Sequence, residues 1–169
     1  MKFLKFKKGF TLIELLVVIS VIAVLAVAVL SSINPVEQIN KAKDTASKSD
    51  ASEILNAMER YYATFGCYPW EVDAAGACPT PYVYAAQAST AVGSAVAVFT
   101  ELVNKSEIKT QLQTRVAGQT NASAKNNLIL TSDANQLVHV CFLPSSKTFL
   151  AQGNGVADGT AGTTHVCVP

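Results

Sequence analysis

One carboxylate stands alone in an apolar run. Glu14 is the single charge between Phe10 and Ile33, in FTLIELLVVISVIAVLAVAVLSSI. A carboxylate in a hydrocarbon environment is costly, so it is expected to be functional and to have a partner, best an amine. The other reactive groups are four cysteines, at 67, 78, 141 and 167, and two histidines, His139 and His165. These atoms would suit two disulfides or a zinc site, but the sequence has no C-x-x-C pair. It also has no H-E-x-x-H, no G-x-S-x-G and no glycine-rich phosphate loop. Asp133 and Asp158 are too sparse for a calcium loop of the EF-hand type. The expectation is therefore a non-enzyme with no catalytic residue, no metal and no cofactor.

The element that carries Glu14 is the apolar run itself. Twenty-four residues as a helix span roughly 36 Å, against about 30 Å for a bilayer core. Nothing in it alternates polar and apolar at helical spacing, as a soluble surface helix would. Lys2, Lys5, Lys7 and Lys8 precede it, and no basic cluster follows. That asymmetry keeps the N-terminus cytoplasmic and exports the C-terminal bulk. A secretory signal peptide begins similarly, and Ala26-Val27-Ala28 imitates its cleavage site, but the apolar run is too long for that reading. Beyond residue 9, nine basic groups face twelve acidic ones, so no nucleic-acid partner is expected.

The order Gly9-Phe10-Thr11-Leu12-Ile13-Glu14, after a short lysine-rich leader, closely resembles the class III signal of type IV prepilins and type II secretion pseudopilins. The resemblance implies cleavage between Gly9 and Phe10 by prepilin peptidase and N-methylation of Phe10. It also implies retention of the apolar helix and pairing of Glu14 with the Phe amine of a neighbouring subunit during assembly. A glycine before the cut leaves room for close approach of a protease. The implied fold is α+β: a long N-terminal helical stalk packed on a small antiparallel sheet head, the ladle shape of that family. Tyr61-Tyr62 running into Gly66-Cys67-Tyr68-Pro69 resembles the end of the stalk in many of its members.

Asn34 and Pro35 predict a helix break and a fresh start, with Asn34 as cap and Pro35 in the first turn. Residues 36–65 then read as a helix whose inward face is Ile39, Ala42, Ala46, Ile54, Met58, Tyr61 or Tyr62, and Phe65. Gly66 ends it. A loop is expected over 70–94, with Tyr68 and Trp70 folded back over the head. One or two short helices follow over 95–115, with Phe99, Leu102, Val103, Ile108 and Leu112 inward. Strand signals fall at 128–130, 137–143, 148–151 and 165–168, with a turn at Pro144–Lys147 and a glycine-rich loop over 153–163.

The expected divisions are a leader (1–9), a membrane and filament-core helix (10–33), the amphipathic second half of the stalk (34–66) and a head (67–169). An exported head permits disulfides, and of three possible pairings Cys67–Cys78 and Cys141–Cys167 are favoured. His139 and His165, two positions before cysteines, read as sheet residues beside a bridge. Asn104-Lys105-Ser106 and Asn121-Ala122-Ser123 match glycosylation sequons, a pattern frequent by chance. The expected partners are the lipid bilayer, prepilin peptidase, an inner-membrane assembly platform and further copies in a helical filament. That filament is a surface pilus, with a periplasmic secretion pseudopilus as the alternative. A membrane-anchored binding module that never polymerises is the rival of a different class.

Overall fold

The computed structural model describes residues 9–80, 82–132, 135–152 and 165–168. Lys2 to Lys8, Asp133, Asp158 and the glycine-rich loop lie outside the described residues. The chain divides into two compact units, Met1–Val36 and Glu37–Pro169. The fold is α+β.

In the first unit, helix α1 runs over Leu12–Ser32, and none of its residues is buried. Two of its hydroxyls bond within the helix, Ser20 donating to the Val17 carbonyl at 2.8 Å and Ser31 to the Ala28 carbonyl at 2.9 Å. Such self-satisfied polar groups suit a helix that meets no water. Helical geometry ends at Ile33, which is extended.

Helix α2 opens on Pro35 and runs to Phe65, where Gly66 takes a left-handed φ of +80° and bonds back to the Tyr62 carbonyl. Its buried face departs from the expected one in the first half. Ile39, Ala42 and Ala46 are exposed, and the residues turned inward are Asp44 and Ser47, followed by Ala51, Ile54, Leu55, Met58 and Tyr61. The head offers backbone N–H donors opposite Asp44, so a carboxylate is needed there and a methyl group is not. Phe65 is 38% exposed, its ring against Tyr61 with centroids 4.5 Å apart.

The sheet is a four-stranded antiparallel meander in the order β1-β2-β3-β4: Thr90–Ala91, Leu128–Ser132, Val138–Phe142 and Val166–Val168. Leu130 stands opposite Val140, and Val140 opposite Val168. The strand count matches expectation, but one member differs. Residues 148–151 belong to a short helix, α5 (Lys147–Ala151), because the Ser146 hydroxyl accepts from the Phe149 N–H and caps it. The remaining strand is β1, which lay within the expected 70–94 loop. Helices α3 (Val96–Asn104) and α4 (Thr110–Val116) fill the interval between β1 and β2. One buried cluster unites Ile54, Met58 and Tyr61 of α2, Phe99 and Leu102 of α3, Leu112 of α4 and Leu128, Val140 and Phe142 of the sheet. Val103, expected inward, is only partly buried.

Candidate functional site

The residues that the sequence marks for processing lie at the mouth of α1. Gly9 and Phe10 precede the first helical residue. A side chain at Gly9 would meet nothing within 4 Å, and Phe10 is 85% exposed. The peptide bond between them is therefore open to approach from several sides.

Thr11 is the N-cap, extended at φ −82° and ψ 151°. Its hydroxyl accepts from the Glu14 N–H at 3.3 Å, and the Glu14 carboxylate reaches back to the Thr11 N–H at 2.8 Å. The Thr11 hydroxyl also donates to the same carboxylate oxygen at 2.7 Å. This capping box satisfies two orphan donors of the helix end reciprocally. Both contacts fall on Oε2, which leaves Oε1 for another donor. Thr11 was not singled out from the sequence, although the Thr-x-x-Glu spacing was there to find it.

Downstream of that cap, α1 is long and apolar enough to cross a membrane, with 21 residues and Glu14 as its one charge. Gly9 and Phe10 thus precede the first turn of this segment, and Glu14 lies within that turn. Ile33 and Asn34 lie between α1 and α2, and Pro35 is the first residue of α2.

The cysteines belong to the second unit. Cys67 is bonded to Cys78, with Cα atoms 5.9 Å apart, and Cys141 to Cys167. The second bridge joins residues directly opposite each other on β3 and β4. No described cysteine is free, so no thiolate is left to ligate a metal. Among the described residues no group of three or more His, Cys, Asp and Glu could hold one. His165 is buried and His139 half-buried beside the β3–β4 bridge.

Two carboxylates of α2 are shifted by their surroundings. Burial opposes ionisation of Asp44, but hydrogen bonds from Ser145, Ser146 and Asn126 together outweigh it and hold its carboxyl below the usual range. Burial pushes Asp50 above that range despite the opposing charge and hydrogen bond of Arg115. The Tyr61 hydroxyl, buried and bonded to Glu101, is pushed up to about 12.

Comparison with known proteins agrees with the first-unit geometry. Residues 4–30 match the family model of the prokaryotic N-terminal methylation motif. No curated protein and no solved structure matches the chain. The chain thus carries the signal of type IV pilins and pseudopilins. That class is structural, and the match supports a pilin or pseudopilin precursor, anchored by its apolar helix.

Proposed function

We propose that this chain is the subunit of a type IV surface pilus. The carrying observation is that the methylation motif falls on a helix with no buried residue, fronted by an open Gly9–Phe10 peptide. A bare apolar helix of this length needs either lipid or other apolar helices around it. In this reading the helix first anchors the precursor in the cytoplasmic membrane, N-terminus inside and the Glu37–Pro169 unit exported. Prepilin peptidase hydrolyses the Gly9–Phe10 bond on the cytoplasmic side, and the new amine of Phe10 takes one methyl group from a sulfonium methyl donor, releasing a proton and the thioether.

An assembly platform in the inner membrane then draws the mature chain into a helical filament. Contacts between α1 copies replace contacts with lipid, and Ala23, Ala26 and Ala28 allow close approach. The free Oε1 of Glu14 accepts the amine of an adjacent subunit, which removes two charges from an apolar core. The second unit forms the outer surface of the filament.

The test is intact-mass measurement of the polypeptide in material sheared from cells and in the membrane fraction. A mass that starts at Phe10 with one added methyl, in a sheared fraction that contains filaments, supports the surface pilus. A processed form confined to membranes overturns it in favour of a secretion pseudopilus. A chain that keeps Gly9 in every fraction overturns filament assembly altogether and leaves an anchored binding module.

A further inference from the structure

The second unit holds an open cleft of about 550 Å³ between the Cys67–Cys78 loop and α3. That volume lies within the range of small-molecule sites. Its one aromatic lining residue is Trp70, the single tryptophan of the chain. The ring of Tyr68 lies parallel to the indole, with centroids 4.5 Å apart and planes 4° off parallel. Tyr68 itself is not part of the cleft wall. The indole Nε1–H donates to the Ala85 carbonyl at 2.9 Å. Trp70 is therefore a flat surface held in place from behind and at its edge, before any ligand arrives.

The polar groups of the wall are Asp73, Thr100, Glu101 and Asn104, beside the small exposed side chain of Ala97. Asp73 accepts the N–H groups of Ala75 and Ala77, both on Oδ1, so Oδ2 keeps its acceptor capacity. Glu101 is positioned by the Tyr61 hydroxyl at 3.0 Å and by Lys105 at 3.6 Å. The Thr100 hydroxyl accepts from Gln113 and retains its own proton to donate. Two carboxylates against one lysine give the cleft an excess of negative charge. That charge repels a phosphate backbone and favours a neutral ligand rich in hydroxyl donors.

We propose that this cleft binds neutral glycans: the C–H face of a pyranose lies on Trp70, and its hydroxyls bond Asp73, Thr100, Glu101 and Asn104. An aromatic plane beside carboxylate, hydroxyl and amide groups complements a ring that is apolar on its faces and polar at its rim. The site goes beyond the filament reading and holds whether or not the chain polymerises.

The test uses the full chain in a detergent without a sugar headgroup, because Trp70 is its own fluorescent reporter. Maltohexaose, cellohexaose and chitohexaose are titrated, with an oligothymidylate in parallel. At least one hexasaccharide gives a saturable shift of Trp70 emission, and the oligothymidylate gives none. Ala97→Phe fills the cleft from the exposed side of α3 and abolishes the shift. Asn104→Ala weakens binding by about tenfold, equivalent to about 1.4 kcal/mol. Both variants keep the parent melting temperature. Silence towards all three sugars overturns the proposal, as does a sugar response that survives Ala97→Phe. A response to oligothymidylate alone overturns the ligand class and reassigns the cleft to single-stranded nucleic acid.

Discussion

The carboxylate of Asp44 accepts the backbone N–H of Ser146 at 2.8 Å, across 102 positions of sequence. The same carboxylate accepts the Ser145 N–H at 2.8 Å and the Asn126 side-chain amide at 2.6 Å. Around it the Ser47 hydroxyl donates to the Asn126 carbonyl, and Glu37 accepts from the Lys147 N–H. The early part of α2 is therefore tied to the sheet-bearing region by hydrogen bonds, whereas residues 51–61 are held by apolar burial.

Replacement of Asp44 by alanine strands buried donors and is expected to cost on the order of 3 kcal/mol. Asparagine fails too, since donors approach both oxygens and either orientation turns its amide towards at least one N–H. The Asp44 carboxyl lies below its ordinary 3.8 in the fold, so its contribution is complete above that value and declines as pH falls below it. Denaturation at several pH values should show the gap between parent and Asp44→Ala widest at neutral pH and shrinking below about pH 4. A gap constant with pH would refute an ionised Asp44.

Asp50 has the opposite sign. Its carboxyl lies above the ordinary value because of burial, with Arg115 bonded to it at 2.6 Å as a partial remedy. A raised folded value means that protonation favours the fold, so Asp50 costs least at low pH. Arg115→Gln should raise the Asp50 value further, as read by carboxyl chemical shift. Arg115 is more than half exposed, so the expected loss at pH 7 is about 1 kcal/mol or less. The loss should fade as the pH drops through the Asp50 titration.

These two aspartates mark where sequence reasoning succeeds and stops. The α+β class, the apolar helix and the Gly9–Glu14 signal are legible because each depends on neighbours in the chain. Ala42 and Ala46 fit an apolar stripe as well as any residue does, yet they are exposed. The inward position goes to Asp44, whose donors arrive from residue 126 and residues 145–146. Residues 148–151 have strand-like composition, but the Ser146 cap and the contact of Phe149 with Phe142 at 6.2 Å select a helical turn. Thr90–Ala91 is too short to carry an alternation and becomes a strand only by pairing with Ile129 and Leu130. Trp70 was placed near the head, but its partner Ala85 and its cleft on α3 are tertiary facts.

Gly93 sits where backbone meets backbone. A Cβ there would lie 2.7 Å from the Ala117 carbonyl oxygen and 2.8 Å from the Gln119 nitrogen. Gly93 N–H also donates to the Gln119 carbonyl at 3.0 Å. The segment after β1 and the end of α4 therefore cannot part without loss of that bond. Gly93→Ala is expected to cost about 2 kcal/mol through overpacking, read as a lower midpoint with unchanged slope in urea. Gly118→Ala, with open space around it, is the control and should stay within about 0.5 kcal/mol.

The two disulfides close loops of different length. Cys67–Cys78 spans 11 positions and Cys141–Cys167 spans 26. Loop entropy then predicts losses of about 3 and about 3.5 kcal/mol for the paired serine variants. The structural effects should differ more than the energies do. β4 has three residues and one neighbouring strand, so Cys141→Ser/Cys167→Ser should release the C-terminal strand to proteolysis. Cys67→Ser/Cys78→Ser should leave it protected, as limited proteolysis with mass readout would decide.

At the mouth of α1, Glu14 closes the capping box, and three variants test whether it also carries the proposed pairing between subunits. Thr11→Val removes the acceptor for the Glu14 N–H and should weaken the helix end by about 1 kcal/mol. The carboxylate survives, so filaments should still form. Glu14→Ala removes both cap and charge. It should leave a chain that is membrane-bound and cut after Gly9 but absent from sheared filaments. Glu14→Gln is decisive, because its side-chain oxygen can still accept from the Thr11 N–H, but it cannot neutralise an incoming amine. If charge pairing drives assembly, Glu14→Gln fails like Glu14→Ala, with its processing intact by mass. Normal filaments from Glu14→Gln would assign Glu14 to the cap alone and remove it from subunit registration.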